Sequence, residues 1–518
     1  MRVFVRTNFN KEIGLGHLSR CIRLCDFFVN KGFKCKIFID KKDKFENFFL
    51  TNKNIAIKNL YEFNSKFENQ KKDAQIFIKK IKKNSLVIVD DYRLNYIWEK
   101  IVSKKKNKIL TIEDQNIEHH YSDYIINSNP KFYNYSNYKK KSKKLCKYFL
   151  GPKYSIVNSN KSIIKKKTKK IHLTFYFGGS GDLIHFYNLL LYMFENKMFS
   201  IEIIINIIIG PLCSNKRKIK LLTNKSSNII IHENINNLNI ILARTDLLIS
   251  SSGMISNEAN YFGVPGIYFQ VSKNQIIDNQ YLEKIGMYFN LNINHLKNKK
   301  KLSKLLSLVV SNIKSVKKIY RPSIKIDSLG PKRIFENIFK KNHIKANLTR
   351  KKLTFSNRKF IKINELSINK YLEARNLLVN RSNSMNLKKI DKLDHYIWWM
   401  TSRKFINALI KNDRFQMFIK NDFSSFKGLT ICINGFVISS SKISGLDVIW
   451  SLNKNMKYLN NINKNMVILS IVKKSNKFAN LHTKYLGLKS YEYNIKKVND
   501  FLQTKLVDKK KLNVFINK

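Results

Sequence analysis

Short apolar runs rich in β-branched and aromatic residues alternate with helical patterns along most of the chain. MRVFVRT, CKIFID, SLVIVDD, KILTIED and DYIINS form one series. IHLTFYF, FSIEIIINIIIG, NIIIHEN, TDLLISSSG and VPGIYFQV form a second, beyond the lysine-rich connector KSIIKKKTKK. Runs so short and so continuously apolar suit strands covered on both faces, with the intervening helices as crossovers between parallel neighbours. The expectation is an α/β protein with two Rossmann-like halves, residues 1–160 and 165–340, facing each other across a cleft. Open sheets of this kind bind ligands beyond the carboxyl ends of their strands, so the chemistry is expected in the loops there. Glycine-rich strand-to-helix turns then stop, and residues 359–510 read as a third unit of helices followed by strands.

The 518 residues carry a formal net charge of +63. Such a charge points towards a polyanion partner. The lysines, however, are spread along the chain among abundant Asn and Ile, as compositional bias would spread them. Neither an RNP-type aromatic motif nor zinc-finger spacing is present. Weak, salt-sensitive binding to polyanions is expected, and no specific nucleic-acid partner. Cys21, Cys25, Cys35, Cys146, Cys213 and Cys432 are scattered without a C-x-x-C pair, which argues against structural zinc or a disulfide framework. The most apolar run, IEIIINIIIG, has about half the length that crosses a bilayer. The chain opens on a strand pattern, so a soluble cytoplasmic protein without membrane insertion is expected. No metal site is expected, and the oligomeric state is not legible.

Behind the first strand run stands Gly14-Leu15-Gly16-His17-Leu18-Ser19-Arg20. Gly14 and Gly16 permit backbone shapes and a close ligand approach that side chains would block. The helix start behind them offers unpaired N–H groups and positive potential, which suit a phosphate. That potential also disfavours an imidazolium, which makes His17 a candidate base. Arg6 and Arg20 are expected to contact a diphosphate or to position a carboxylate. VIVDDYRLNYIWE ends a later strand with Asp90, Asp91 and Tyr92, and the next brings Asp114, His120, Asp123 and Asn127. In the second half, FYFGGSGD lacks the G-x-G-x-x-G spacing of dinucleotide folds. In LLISSSGMISNEANYFGVPGIYFQVSKNQ, Gly253 closes a strand, Glu258 lies on the next helix, and Asn274-Gln275 follow another strand. A strand-end glycine, a helix start and a carboxylate suit a nucleotide, with amides on the diphosphate and Glu258 on ribose hydroxyls. Each feature alone is an ordinary cap, turn or solvated face; their joint order carries the reading.

That order, R-x-N…GLGHLSRC, VDDYRLNYIWE, EDQ…HHYSDYIINSN, FLGPKYSIV, YFGGSGD, DLLISSSGMISNEANYFGVP and NQ, resembles the UDP-sugar hydrolases of pseudaminic acid biosynthesis. The likeness spans roughly residues 1–340, and the spore-coat polysaccharide and legionaminic acid branches share much of it. It implies a GT-B arrangement of the halves, similar to the lipid II-forming N-acetylglucosaminyltransferase. It implies metal-free, cofactor-free attack of water on UDP-2,4-diacetamido-2,4,6-trideoxy-β-L-altropyranose, with His17 as base or water-orienting group. Arg6, Asn8, Gly14, Gly16, Arg20, Asp91 and Tyr92 would then line the substrate. Gly253, Glu258, Asn274 and Gln275 would hold the nucleotide. Asn8 departs from a common aspartate, and SSSGMIS from a glycine-threonine style turn. A UDP-sugar-dependent GT-B glycosyltransferase is the enzyme alternative. A basic, non-enzymatic polyanion-binding protein is the alternative of another class.

INKYLEARNLLVNRSNSMNLKKIDKLDHYIWWM resembles the opening of GNAT-type N-acetyltransferases, through Arg375-Asn376, Ser382, His395, Trp398 and Trp399. Asn476, Tyr485, Leu486 and Gly487 resemble their later strand and helix. The likeness implies a C-terminal α+β GNAT-like domain and acetyl-CoA as its cofactor. The expected glycine-bearing pyrophosphate turn is sought between LDVIWSLNK and MVILSIV. There NMKYLNNINKN has no glycine and little room for a helix. A degenerate module, structural or docking in role, is therefore the alternative to an active acetyltransferase.

Overall fold

The computed structural model describes residues 2–9, 14–41, 54–62, 65–114, 119–129, 142, 144–157, 169–179, 184–198, 202–213, 215–233, 235, 237–271, 282, 286–287, 289–320, 322, 324–339, 358–363, 367–383, 388–401, 404–426, 428–439, 443–490 and 512–517. Two compact units divide the chain, Met1–Lys345 and Ala346–Lys518.

The first unit holds two parallel sheets. Its first half runs β1 (Arg2–Thr7), α1 (Gly16–Val29), β2 (Lys34–Ile39), β3 (Ile55–Asn59), α2 (Gln70–Lys80), β4 (Leu86–Asp90), α3 (Tyr96–Ser103), β5 (Lys108–Ile112), β6 (Tyr124–Asn127) and β7 (Lys147–Leu150). The strand order is β3-β2-β1-β4-β5-β6-β7, all parallel. The second half runs β8 (Ile171–Tyr176), α4 (Ile184–Glu195), β9 (Ile203–Ile209), α5 (Lys216–Lys220), β10 (Ile229–Glu233), α6 (Asn239–Leu242), β11 (Leu247–Ser251), α7 (Met254–Phe262), β12 (Gly266–Gln270), β13 (Asn290–Asn292), α8 (Lys299–Ser311), α9 (Ile313–Ile319) and α10 (Gly330–Phe339). Its order is β10-β9-β8-β11-β12-β13, again parallel. Each order reverses once, between β1 and β4 and between β8 and β11, which are the switch points where such sheets open a crevice.

The strands form because their residues are buried on both sides. Every residue of β4 and of β11 is buried. On β1, Val3 and Val5 join the core beneath α1, whereas Phe4 joins the opposite core with Phe38, Phe77 and Trp98. The last helix of the second half, α10, returns to the first. Phe335 and Phe339 pack edge-on against Phe28 at 5.7 and 6.0 Å between ring centres. A Cβ on Gly330 would stand 2.1 Å from the carbonyl oxygen of Ser155, so that approach requires glycine. The two Rossmann-like halves thus form the expected GT-B arrangement.

The second unit runs β14 (Arg358–Lys362), α11 (Ile368–Arg375), α12 (Leu378–Asn383), α13 (Lys392–Thr401), β15 (Phe405–Lys411), β16 (Arg414–Phe426), β17 (Leu429–Ile438), α14 (Gly445–Ile462), β18 (Val467–Lys473), α15 (Lys477–Tyr485), β19 (Lys489–Ser490) and β20 (Leu512–Ile516). Its sheet is mixed, and its one parallel pairing joins Ile431–Asn434 of β17 to Val467–Ser470 of β18. This is the expected C-terminal α+β domain. One expectation is corrected: NMKYLNNINKN does not lack room for a helix, because with LDVIWSLNK most of it forms α14, an 18-residue helix that buries Val448, Ser451, Leu452, Asn455 and Leu459 at helical spacing. The connector from β17 thus has its helix, and Gly445 is that helix's first residue.

Candidate functional site

Thr7 and Asp90 end the adjacent strands β1 and β4 and pair across the switch point. The hydroxyl of Thr7 donates to the backbone carbonyl of Asp90 at 3.0 Å. His17 is the second residue of α1, and Arg20 follows one turn later on the same face. Both turn towards Asp90. His17 Nδ1 lies 2.6 Å from Asp90 Oδ1. Arg20 donates Nε to Oδ2 at 2.6 Å and Nη2 to Oδ1 at 2.5 Å. Arg20 Nη1 also pairs with Asp114. Tyr92 sets its ring edge-on to the imidazole, 4.6 Å between centres, and its hydroxyl donates to Asp114 at 3.2 Å.

The electrostatics follow from burial. Asp90 is only 1% exposed. Burial pushes its carboxyl up, but Arg20 and then His17 outweigh it and hold Asp90 well below the usual carboxylate range. An ionised Asp90 that accepts from Nδ1 fixes the imidazole's tautomer and turns Nε2 away from the strand end as the basic nitrogen. Burial, then the charge of Asp114, keeps the Tyr92 phenol protonated.

The other expected residues fall into distinct places. Arg6 is 0% exposed. Its Nε and Nη2 donate to Asp73, Nη2 also to Asp40, and Nη1 to the carbonyl of Thr7. Trp98 and Tyr61 complete the Asp73 carboxylate at 2.7 and 2.6 Å. Asn8 donates to Asp40 at 3.1 Å, and Asp91 is clasped by Arg93 at 2.6 Å. Arg20 is likewise held by carboxylates, those of Asp90 and Asp114. Gly14 has φ 77°, which favours glycine. Among the described residues, nothing beyond the chain neighbours and the backbone of α1 itself lies within 4 Å of where a Cβ on Gly16 would stand.

In the second half, Gly253 precedes α7 at φ 148° and ψ −156°, a conformation suited to glycine alone. Glu258 is 2% exposed, and Arg23 from α1 binds its Oε1 across the cleft. The halves also meet where a Cβ on Gly179, after β8, would lie 2.5 Å from Leu15 Cδ1. The two switch points therefore face each other. Asn274 and Gln275 lie outside the described residues. Sequence reasoning overlooked Arg23, although His17, Arg20 and Arg23 repeat at a spacing of three. It noted Asp90 and Asp114 at strand ends without giving them roles. Among the described residues, no group of acidic, histidine or cysteine side chains has the geometry to hold a metal ion, and no helix is long and apolar enough to cross a membrane.

In the second unit, Asn376 clamps the backbone of Ile390 through both ends of its amide, at 2.8 and 3.0 Å. His395 Nε2 lies 3.0 Å from the carbonyl of Ile368, and its ring stacks on Trp398 at 5.4 Å. Both are structural contacts.

Residues 162–324 match a family described as a protein of unknown function, DUF354. An uncharacterised protein of Methanocaldococcus jannaschii is 26% identical over 305 residues, covering 55% of this chain and 59% of that protein, so the match spans well under two-thirds of the relative. Among solved structures, the chain is similar to the UDP co-structure of MnaA from S. aureus, with 11% identity, coverage of 65% of this chain and 95% of that one, and a TM-score of 0.45. MurG of Acinetobacter baumannii gives 12% identity, 65% and 99% coverage, and 0.43. An N-acetyltransferase from Staphylococcus aureus Mu50 gives 12% identity, 31% and 97% coverage, and 0.25.

Proposed function

We propose that the first unit hydrolyses a UDP-linked 2,4-diacetamido-trideoxy sugar at its anomeric carbon, in the synthesis of pseudaminic acid. The observation that carries this reading is the Asp90–His17 pair at the β1/β4 switch point, with Nε2 turned away from its carboxylate. The motif order of the sequence supports the sugar's identity. In the reaction, His17 Nε2 takes a proton from water as the water oxygen bonds to the anomeric carbon. The bond from that carbon to the diphosphate oxygen breaks, and UDP leaves with the electron pair. Asp90 holds the imidazole in its productive tautomer and stabilises the imidazolium that forms. The N-terminus of α7 and the glycine turn after β8 would receive the diphosphate charge. Glu258 would accept from the ribose hydroxyls.

The test is UDP release from UDP-2,4-diacetamido-2,4,6-trideoxy-β-L-altropyranose, with EDTA present and no acceptor added. Release without an acceptor supports hydrolysis. Release only when a sugar or lipid acceptor is supplied would replace the reading with a glycosyltransferase.

For the second unit, the residues where α14 begins do not suit the acetyl-CoA pyrophosphate. Ser444 Oγ already accepts from the backbone N–H of Asp447 at 3.1 Å, and Asp447 sets a carboxylate in the first turn, held by Lys411 and Arg358 at 2.8 Å each. The first turn is thus already occupied by an ion-paired side chain. We therefore derive no acetyl transfer and assign this unit a structural or docking role.

A further inference from the structure

Glu258 is the one carboxylate of α7, and its two oxygens are treated unequally. Oε1 is taken by Arg23 of the opposite half. Oε2 is enclosed and accepts no hydrogen bond among the described residues. Burial, and then the negative charge of Glu258, keeps the neighbouring Tyr176 phenol protonated. A carboxylate has acceptor sites on both oxygens, and leaving a buried one bare is unfavourable. A vicinal diol supplies two O–H donors and would satisfy both oxygens at once. The two partners of the present pair also differ in freedom. The Arg23 side chain is 20% exposed and the Glu258 side chain 2%, so the arginine can swing out to water while the carboxylate stays.

Resting on the nucleotide reading of Glu258 above, we infer that Arg23 is a competitor for the ribose diol: it occupies Glu258 in the empty protein and leaves when the nucleotide arrives. The ribose exchanges one charge-assisted contact for two neutral donors, and the freed guanidinium regains its hydration. Arg23 thereby lowers nucleotide affinity through Glu258 without touching the nucleotide. It also fastens α1, which carries His17, to the second half only while the site is empty.

The experiment is titration calorimetry of the full chain with UDP, comparing the natural protein, Arg23→Met, Arg23→Lys, Glu258→Gln and the double variant Arg23→Met/Glu258→Gln. Methionine keeps the apolar stem and removes the competing charge. Arg23→Met is expected to bind UDP about tenfold more tightly, a gain of about 1.4 kcal/mol. Arg23→Lys returns affinity towards the natural value. In the Glu258→Gln background, Arg23→Met changes affinity little, because the competition runs through that carboxylate. A merely structural role for the pair predicts the opposite sign in the first comparison. If both proteins bind UDP and Arg23→Met binds no more tightly, the competition is refuted while the nucleotide reading stands. An equal gain in the Glu258→Gln background refutes it as well. If neither protein binds UDP, the nucleotide reading falls and the inference with it.

Discussion

Replacing Asp90 with asparagine isolates the orientation of His17 from its presence. Asp90 carries three contacts of 2.5 to 2.6 Å, one from the imidazole and two from Arg20, at 1% exposure. Asparagine has nearly the same shape but offers one acceptor oxygen and one NH₂. An oxygen in the Oδ2 place keeps Arg20 Nε, and the NH₂ then faces both Arg20 Nη2 and His17 Nδ1, which must accept, so the proton moves to Nε2. An oxygen in the Oδ1 place keeps His17 Nδ1 and Arg20 Nη2, and the NH₂ opposes Arg20 Nε. Either arrangement sets an NH₂ against one guanidinium donor, and neither leaves a charged acceptor to hold the proton on Nδ1 and stabilise the imidazolium. A positioned base contributes about 10²–10⁴-fold to rate, so kcat is expected to fall by about that factor, with UDP affinity within a few-fold of the natural protein. Removing one partner of a buried ion pair costs about 3–5 kcal/mol, and the effect here falls at the low end because Arg20 keeps Asp114. The assay is single-turnover UDP release, with urea unfolding to confirm that the variant is folded. A folded Asp90→Asn protein with kcat within about threefold of the natural one would refute the orienting role, since losing the base's contribution lowers the rate by about 100-fold or more.

Three further outcomes follow from the same contacts. His17→Ala should lose UDP release by at least about 100-fold while UDP binding, measured by calorimetry, stays nearly intact; retained turnover would remove His17 as the base. Asp73→Ala should destabilise the first unit by about 3–5 kcal/mol in urea unfolding, because Arg6 remains fully buried and Trp98 and Tyr61 lose their acceptor; a shift below about 1 kcal/mol would mean that the site fills with water. The second unit should weaken as pH falls from 6.5 towards 4, because burial pushes His395 down to about 4, and the unfolded chain, near 6.5, takes up the proton first. The full loss is about 3 kcal/mol, and His395→Gln should flatten this part of the stability profile.

The sheets were legible because strands buried on both faces leave continuous apolar runs, as in Leu86–Asp90. The short edge strands IAIKN and KYFL carry little such signal and were not anticipated. The site was legible in part. His17 stood out because two glycines and a helix start frame it. For Arg6 a diphosphate contact and a carboxylate contact were both expected, and alternation along β1 bears on the choice. Val3 and Val5 face α1, so Arg6 shares the far face with Phe4 and meets Asp73 of α2. The Arg23–Glu258 contact joins residues 235 positions apart. No local pattern encodes such a pairing, since it depends on how the two halves close. In α14, NMKYLNNINKN taken by itself looked too short for a helix, but the burial of Asn455 and Leu459 continues the 3.6-residue period of Val448, Ser451 and Leu452, which a longer window reveals.

The distribution of acidic side chains explains why the expected arginines do not await a phosphate. The chain has 35 Asp and Glu against 98 Lys and Arg. Yet Asp73, Asp90, Glu99, Glu258 and Asp447 are all buried, and each faces a basic partner: Arg6, His17 with Arg20, His120, Arg23, and Lys411 with Arg358. In the first unit, Arg6, Arg20 and Arg23 are thereby neutralised within the protein itself. In the proposed reaction, a departing diphosphate would therefore meet backbone N–H groups at helix ends, which carry no counter-charge to displace, and the surrounding lysines would supply the long-range attraction. On this account, raising the ionic strength slows capture of the nucleotide sugar while leaving the chemical step at saturation unchanged. The attraction is screened over about 8–10 Å of electrolyte, whereas the Asp90–His17–Arg20 cluster is closed to it. Steady-state rates across a salt series separate the two: kcat/KM should fall with added salt and kcat should hold, and a kcat that falls in step would place mobile surface charge in the reacting centre.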